Sequence, residues 1–314
     1  MARLAFFGPH GTYTEVALRS QPDLAVQELV AAASIPEVLA LVERKAVDAG
    51  MVPIENSIEG SVAVTLDSLA FERDLMIQRE VDIPISLVVA AKPGATVKAV
   101  TSVLAFPHAA QQCRSWLTKR MPKARVTAAN SNADAAVAVS KSRRTDLAAI
   151  TTPYAAEIYG LKILGRAVQD VPDAVTRFIL VGHGIPAPTG HDKTSIVCFQ
   201  REDRPGSLLA ILSEFASRTI NLTKLESRPT KQNLGDYCFF IDFEGHVADE
   251  IVSDCLRNLV AKQAEVKFLG SYPVAGPEEE QHLRRRAVGR AWSSANKWIT
   301  GIRDQVGTSE VPTR

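Results

Sequence analysis

Apolar and polar positions in the first 75 residues follow two alternating patterns. Short apolar runs are typical of buried strands, and the stretches between them have the spacing of amphipathic helices. The predicted order is strand 4–7, helix 12–19, strand 26–30, helix 34–44, strand 46–54 and helix 61–71. Ser34, followed three residues later by Glu37, marks one helix start as a capping box. This alternation predicts an α/β lobe with a mainly parallel sheet.

A second group of elements begins near residue 75. Its predicted order is strands 76–82, 85–91 and 100–106, helices 107–119 and 133–141, strand 147–150, helix 153–160 and strand 178–181. We interpret residues 1–182 as two lobes, split near residues 75–85, with the chain returning to the first lobe near residue 170. Because two crossovers leave a cleft between the lobes, we expect a small-molecule site there.

A glycine- and proline-rich linker at 183–193 separates these lobes from a third pattern. Beyond it the predicted order is strand 194–200, helix 205–218, strands 221–227 and 236–243, helix 247–262 and strand 265–269. This order predicts a ferredoxin-like βαββαβ domain over 194–272. In the tail, 273–314, apolar residues spaced by four and three form a helical stripe of Val288, Trp292, Ala295, Ile299, Ile302 and Val306. The stripe either docks on the body or a partner subunit, or belongs to a frayed, partly disordered end.

Composition excludes several classes of function. With 36 basic and 35 acidic residues among 314, the charge gives no reason to expect nucleic acid or a membrane as a partner. No apolar stretch is long enough to span a bilayer, and the first apolar run is too short for a secretion signal. The four cysteines are scattered and the six histidines form no ligand pair, so we expect no metal and a reducing, cytoplasmic compartment. No phosphate-binding glycine motif occurs, and we expect no cofactor.

Polar side chains follow the predicted strand 46–54. Residues just past the carboxyl end of a strand lie where open α/β sheets bind ligands. Asn56 and Ser57 can donate hydrogen bonds there, and Glu55 can act as an acid if burial raises its pKa. The alternative is that Asn56 or Ser57 only caps the next helix.

The string Thr176-Arg177-Phe178 closes the two-lobed region. An arginine offers a planar fork for carboxylates, and a threonine offers one hydroxyl donor. Within a strand, Thr176 and Phe178 face one way and Arg177 the other. If the string instead lies at the beginning of a strand, Thr176 and Arg177 can both line the cleft. A third possibility is that the string is part of an ordinary edge strand.

Two further segments offer donors to a small anion. The turn at 8–15, GPHGTYTE, leads into a helix, so free N–H groups near Thr12 and Tyr13 can hold a carboxylate. Gln112, on the helix after Pro107, can bind a carboxylate or hydroxyl if it faces the cleft, although solvent exposure is the commoner outcome.

Taken in order, these motifs resemble the prephenate dehydratase family. The resemblance is carried by residues 8–15, PIENSIEG at 53–60, Gln112-Cys113 and Thr176-Arg177-Phe178, and then by GSLL at 206–209 and ESRP at 226–229, which resemble the ACT regulatory domain. It covers about residues 1–272. The implied fold is a two-lobed, periplasmic-binding-protein-like catalytic domain followed by an ACT domain.

The family is a group of hydro-lyases that convert prephenate into phenylpyruvate, water and carbon dioxide in phenylalanine biosynthesis. The resemblance implies a catalytic role for Thr176. Our hypothesis is that Thr176 hydrogen-bonds to the departing hydroxyl and relays a proton from water or from Glu55, and that Arg177 clamps a carboxylate. The implied catalytic residues are Thr176, Arg177, Glu55 and Asn56, and the implied substrate-binding residues are Ser57, Gln112, Phe178, Thr12 and Tyr13. Two positions depart from the family pattern. Residues 105–108 are AFPH where Ser-His-Pro-Gln is common, and Ala174 stands where Asn is common.

The resemblance also implies L-phenylalanine as a feedback inhibitor, bound between paired ACT domains of a homodimer or homotetramer. The implied allosteric residues are Gly206, Ser207, Leu208, Asn221, Leu222, Glu226 and Ser227. The βαββαβ domain serving only for dimerisation is an alternative. Two rival functions remain open: arogenate dehydratase, which is the same chemistry on the aminated substrate, and a non-catalytic amino-acid-sensing or solute-binding protein.

Overall fold

The computed structural model describes residues 1–200, 205–231, 236–276, 292, 294–304 and 306. Clustering of contacts divides the chain into two units. The first comprises residues 1–75 and 80–183, and the second comprises residues 76–79 and the chain from 184 onward. Val288 of the predicted helical stripe lies outside the described residues, and residues 294–303 are helical. No helix among the described residues is both long and apolar enough to cross a bilayer.

Eleven strands and eight α-helices lead from the amino terminus to residue 182. In chain order they are β1 (Arg3–Phe7), α1 (Tyr13–Arg19), α2 (Pro22–Ala25), β2 (Glu28–Ala32), α3 (Ile35–Glu43), β3 (Ala49–Asn56), β4 (Gly60–Ser61), α4 (Ala63–Asp67), β5 (Met76–Pro84), β6 (Val88–Ala91), β7 (Ser102–Ala105), α5 (Pro107–Gln112), α6 (Arg114–Arg120), β8 (Arg125–Ala128), α7 (Asn132–Lys141), β9 (Leu147–Thr151), α8 (Pro153–Ile158), β10 (Lys162–Gly165) and β11 (Val175–Gly182).

These strands form two sheets, one in each lobe. The first has six strands in the order β2-β1-β3-β11-β5 with β4 beside β3, and the second has five in the order β10-β6-β9-β7-β8. The chain therefore crosses between the lobes twice, after β5 and again after β10. This arrangement confirms the predicted two-lobed α/β fold.

The first sheet is mixed, and the prediction of a mainly parallel sheet is wrong. β1 runs parallel to β2 and β3, but β11 and β4 both run antiparallel to β3. The reason is the returning segment, because β11 enters the sheet next to β3 in the opposite direction instead of extending the parallel order. As a result β3 and β11 share a long ladder that ends beside the cleft between the lobes.

Local sequence explains where several helices begin. The Ser34 hydroxyl accepts the N–H of Glu37 at 3.3 Å, and α3 begins directly after it. The helix predicted over 107–119 is instead two helices, α5 and α6, which meet at the non-helical Cys113. A core of Leu4, Phe6, Leu18, Met51, Phe178 and other buried residues holds the first lobe together.

The second unit contains the predicted βαββαβ domain. Its elements are β12 (Asp192–Gln200), α9 (Ser207–Ala216), β13 (Leu222–Pro229), β14 (Tyr237–Glu244), α10 (Glu250–Asn258) and β15 (Ala264–Pro273). The sheet is antiparallel with the order β13-β14-β12-β15, which confirms the ferredoxin-like prediction. Its helices cover one face of the sheet, over a core that includes Ile196, Phe215, Ile241, Phe243 and Cys255.

Candidate active site

A cavity of about 490 Å³ lies between the two lobes of the first unit. This volume falls in the range of small-molecule sites. Six of the sequence-predicted residues line it: Thr12, Tyr13, Asn56, Gln112, Thr176 and Phe178. Other lining residues, which were not predicted, include Thr14, Glu59, His108, Asn130, Ser131 and Asn132. The structure thus brings the ends of β3 and β11 together with the starts of α1, α5 and α7.

Thr176 and Asn56 form a hydrogen-bonded pair in the wall of this cavity. They are opposite each other in the β11–β3 ladder, and the Asn56 amide Nδ2 donates to Thr176 Oγ1 at 2.8 Å. The Asn56 Oδ1 accepts the backbone N–H groups of Ile58 and Glu59, at 2.9 and 3.1 Å, which fixes the orientation of the amide. The Thr176 oxygen uses one lone pair to accept the hydrogen bond from Asn56. Its own O–H group is therefore left to donate a hydrogen bond to a ligand.

Arg177 and Glu55 lie on the opposite face of the same ladder. Arg177 Nη1 is 3.1 Å from Glu55 Oε2, and its Nε is 3.4 Å from Glu80 Oε2 and 3.6 Å from Asp82 Oδ1. Neither Arg177 nor Glu55 lines the cavity. The expectation that Arg177 joins Thr176 in the cleft is not met, because side chains alternate along β11 and the neighbour of Thr176 faces away.

Three predicted substrate-binding hydroxyls are engaged within the protein. Tyr13 donates to the carbonyl of Ser86 at 2.5 Å and accepts its N–H at 3.0 Å. Thr12 donates to the carbonyl of Phe7 at 2.9 Å and caps α1. Ser57 is exposed, does not line the cavity and accepts the backbone N–H of Val175 at 3.0 Å. Thr12 and Tyr13 therefore shape the walls of the cleft, and Ser57 holds the start of β11 in place.

A cluster of three polar side chains, Glu59, His108 and Gln112, connects the two lobes across the cavity; we call it the Glu59 cluster. Glu59 follows β3 in the first lobe, and His108 and Gln112 are one helical turn apart on α5 in the second. His108 Nδ1 is 3.0 Å from Glu59 Oε2, and Gln112 Nε2 donates to Glu59 Oε1 at 3.3 Å. Glu59 belongs to the segment 53–60 and His108 to the segment 105–108, but a sequence pattern does not show that these two segments meet.

The start of α7 contributes a further polar wall. Ser131 caps the helix by accepting the N–H of Asp134 at 3.0 Å, and Asn130 and Asn132 flank it. Asn132 Oδ1 is buried and has no hydrogen-bond partner in the structure. A buried acceptor without a partner is rare and costly, so a ligand hydroxyl or N–H is well suited to this position. A serine followed three residues later by an aspartate is a capping pattern that could have indicated this helix start from the sequence.

The charge inside the cavity is small. Burial raises the pKa of the Tyr13 phenol far above its ordinary value, so this group stays neutral. Among the described lining residues, Glu59 is the acidic group and His108 the basic one, and none is lysine or arginine. Recognition of an anion in this cleft therefore depends on hydrogen-bond donors and on His108.

The predicted allosteric residues lie in two segments of the βαββαβ domain, one at the start of α9 and the other on β13 and the residue before it. Gly206, at φ 88°, precedes Ser207 at the start of α9, while Leu208 and Leu222 pack on the core. Asn221 Nδ2 donates to Glu244 Oε1 at 3.1 Å. On β13, Glu226 lies 3.4 Å from both Lys224 Nζ and Arg228 Nη1. Ser227 is the neighbour of Glu226 on this strand and is exposed.

Comparison with known families identifies both units. A sequence model of prephenate dehydratase matches residues 4–185, and a model of the ACT domain matches residues 194–261. The chain belongs to the prephenate dehydratase family. The resemblance inferred from the motifs is thereby confirmed. The first matched range contains all the cavity-lining residues, and the second runs from within β12 to just beyond α10.

Individual relatives agree with this family assignment. The prephenate dehydratase of Amycolatopsis methanolica is 47% identical over 305 residues, covering 96% of this chain and 98% of that protein. The structure of prephenate dehydratase from Arthrobacter aurescens in complex with L-Phe has a TM-score of 0.85 at 39% identity, covering 96% of this chain and 99% of that one. A quorum quenching acylase, GqqA, has a TM-score of 0.78 at 26% identity and covers 87% of this chain and 98% of that one.

Proposed function

We propose that the cavity between the lobes is where this member of the prephenate dehydratase family converts prephenate into phenylpyruvate, water and carbon dioxide. The observation that carries the proposal is the Asn56–Thr176 pair, a hydroxyl oriented as a donor in the wall of a small-molecule cavity. Family membership indicates which reaction is catalysed. The Asn56–Thr176 pair provides a hydroxyl donor that suits the difficult step of that reaction, cleavage of the C–O bond. The C–O bond must break while negative charge develops on the departing hydroxyl.

Thr176 acts in this proposal as the donor to the departing hydroxyl, and Asn56 orients it. Loss of the ring carboxylate and hydroxyl produces an aromatic ring, so the chemistry is strongly downhill once the C–O bond breaks. A threonine is too weak an acid to lose its proton outright, but a hydrogen bond aimed at a developing charge lowers the barrier. Water at the cleft can provide the proton that completes the product water.

Binding of the substrate relies on the other lining groups. Phe178, Ile85, Leu87 and Phe106 offer apolar surface for the ring. Gln112, His108 and the first N–H groups of α7 offer donors for the carboxylates, since a helix amino terminus favours negative charge. Arg177 has no part in this binding, because it is held among Glu55, Glu80 and Asp82 on the other face.

One assay separates this function from its rivals. Purified full-length protein is mixed with prephenate, with arogenate or with a test amide, and formation of phenylpyruvate, phenylalanine or free amine is measured. Phenylpyruvate released from prephenate, and lost in Thr176→Ala, supports the proposal. Turnover of arogenate alone favours the arogenate dehydratase. Amide cleavage favours the acylase chemistry named for GqqA, and no turnover with tight binding favours a sensor.

For the second unit we propose feedback inhibition by L-phenylalanine, bound between ACT domains of a homodimer or homotetramer. The L-Phe complex of the Arthrobacter relative supports the effector, and the start of α9 at Gly206 supports a carboxylate contact. Inhibition of prephenate turnover by phenylalanine, but not by an equal concentration of leucine, is the expected result. Equal inhibition by both amino acids contradicts it.

A cytoplasmic location is part of the same proposal. All four cysteines are free and buried, and burial raises the pKa of Cys113, Cys198 and Cys255 to about 12. Buried thiols with such pKa values are unreactive and suit a reducing compartment. Fractionation of cells with an antibody to this chain tests the location.

A further inference from the structure

The Glu59 cluster places a carboxylate inside a cavity that is proposed to bind a dianion. Glu59 and His108 are the acidic and basic side chains among the described lining residues. Each is partly exposed, with side-chain exposures of 39% for Glu59 and 55% for His108, so both are accessible from the cleft. A negative charge there is unfavourable for a substrate with two carboxylates unless something offsets it.

Glu59 lies close to the proposed hydroxyl donor, so the negative charge of its carboxylate matters for a substrate bound there. The backbone N–H of Glu59 donates to Asn56 Oδ1 at 3.1 Å, and the same Asn56 side chain holds the Thr176 hydroxyl. Glu59 is thus tied to the same asparagine as the reacting hydroxyl donor. Both of its oxygens are contacted from α5, one by His108 and one by Gln112. Two contacts from α5 therefore hold the carboxylate at the cavity wall.

The two candidate substrates differ in the charge that meets this carboxylate. Prephenate carries a keto group on its side chain, and arogenate carries an ammonium group at the corresponding carbon. Both have two carboxylates, so the keto acid is a dianion and the amino acid has a net charge of minus one. A carboxylate in the cavity favours the ammonium group, whereas the His108 Nδ1 contact at 3.0 Å offsets the charge of that carboxylate and favours the dianion.

We propose that Glu59 and His108 are specificity-determining residues that set the preference between the keto acid and the aminated substrate. This inference rests on the proposed function of the cleft. Glu59 attracts the ammonium group and repels the dianion, and His108 offsets that charge and restores tolerance for the dianion. Gln112 positions the Glu59 carboxylate without changing its charge. Glu59 and His108 therefore act on substrate preference in opposite directions.

The test compares kcat/KM for prephenate and arogenate in the full-length wild type, Glu59→Gln, His108→Gln and the double variant, at one fixed pH and salt concentration. Arogenate is also measured as a competitive inhibitor of prephenate turnover, so that a preference is obtained even when its turnover is slow. Glu59→Gln should raise the preference for prephenate roughly tenfold, the size expected for one partly screened charge within the site. His108→Gln should lower it several-fold, and the double variant should lie between the two.

Glu28→Gln is the matched control, because Glu28 is exposed on β2, pairs with Arg3 and does not line the cavity. It changes the net charge by the same amount and should leave the preference unchanged. Equal changes for both substrates in Glu59→Gln, or shifts in the same direction in the two single variants, would overturn the inference while leaving the proposed reaction intact. Failure of the wild type to convert either substrate would instead overturn the proposed function.

Discussion

Thr176 owes its proposed role to one neighbour. Its hydroxyl accepts from Asn56 Nδ2, is buried in the cavity wall and keeps its proton for a ligand. Replacement of Thr176 by alanine should lower kcat at least ~100-fold, the low end for a positioned proton-transfer group. KM should change much less, because the apolar walls and the α5 donors remain. Stopped-flow or steady-state measurement of phenylpyruvate formation checks both constants.

Thr176→Ser is the control for this prediction. It retains the hydroxyl and the hydrogen bond from Asn56, so it should keep a large part of the activity. If Thr176→Ala retained near-normal kcat, the hydroxyl would have no catalytic role, whatever the serine variant does.

Asn56 provides a sharper test of how the hydroxyl is oriented. In Asn56→Ala the Thr176 hydroxyl loses its partner but can still donate to the substrate, so kcat should fall about tenfold to 100-fold. In Asn56→Asp the new carboxylate accepts, and it draws the Thr176 proton away from the substrate. The aspartate variant should therefore be slower than the alanine variant, although it is closer in shape. A faster aspartate variant would contradict this orientation of the donor.

Single-residue patterns predicted part of this site and missed the rest for definite reasons. Thr176 and Asn56 were chosen separately, one from its motif and one from its place after a strand. Their contact depends on the antiparallel entry of β11, which no local pattern indicates. Arg177 was assigned to the cleft because arginine suits carboxylates, yet alternation along the strand turns it to the carboxylates of Glu55 and Glu80.

Helices and strands with a clear chemical signal were predictable. α3 begins at Ser34, as the capping pattern indicated, and the predicted helix at 133–141 matches α7 to within one residue. β8 had no predicted counterpart, because it is only four residues long and all four are exposed. β10 was missed for a related reason, since it is short and none of its residues is fully buried.

Helix α1 depends on a buried carboxylate at its first turn. Glu15 is fully buried and accepts from the Gly11 N–H at 2.7 Å and from Arg19 Nε at 2.8 Å. Tyr154, from the other lobe, donates to it at 3.3 Å, and His10 Nδ1 lies at 3.2 Å. Burial alone would raise the pKa of Glu15, but the hydrogen bonds from Gly11, Arg19 and His10 outweigh it, and the pKa lies below its ordinary value of 4.5.

Glu15→Gln should lower the free energy of unfolding by about 2 kcal/mol near pH 7, because charge-assisted hydrogen bonds of a buried carboxylate are lost. A pKa that is lower in the folded state means that ionised Glu15 stabilises the fold above its unfolded pKa. This contribution is lost as the pH falls from about 4.5 through the folded pKa. The stability gap between wild type and Glu15→Gln should therefore narrow at acidic pH.

Urea unfolding between pH 7 and pH 3, followed by circular dichroism, measures this gap. The exposed Glu28, paired with Arg3, supplies the control: Glu28→Gln should cost no more than about 0.5 kcal/mol at any pH. A gap for Glu15→Gln that is constant from pH 7 to pH 3 would show that its ionisation does not support the fold.

The complete site exists only when distant parts of the sequence meet. Glu59 and His108 belong to different lobes and are 3.0 Å apart in the fold, and both frame the same cavity as Thr176. Motif order identified the family and the reaction, because those depend on which residues are present. In our proposal, the preference between prephenate and arogenate depends on the contact between Glu59 and His108. Sequence motifs do not show this contact, and they therefore could not separate the two substrates.

Assembly of the chain depends in our proposal on the second unit. β13 is an edge strand, since it has β14 as its neighbour on one side only in the sheet order. It carries Leu225, which is 44% exposed. An edge strand with an exposed leucine is a surface that natural proteins usually cover. We therefore expect a second copy of this domain to pair there.

Leu225→Glu should convert the proposed dimer or tetramer into smaller species, because pairing through β13 would bury a glutamate from each partner. Light scattering after size exclusion measures the mass. Val171→Glu is the matched control, since Val171 is 47% exposed on a loop of the first unit and lies outside this surface. Unchanged mass in both variants would contradict pairing through β13.

The Leu225→Glu variant also tests whether catalysis and phenylalanine inhibition depend on assembly. The residues that line the proposed catalytic cavity belong to the first unit, whereas Leu225 belongs to the second, so Leu225→Glu should keep prephenate turnover in the absence of effector. Phenylalanine is proposed to bind between paired ACT domains, and a variant that cannot pair should lose most of its inhibition. If the smaller species remained fully inhibited, phenylalanine would bind within one domain and pairing would have another purpose.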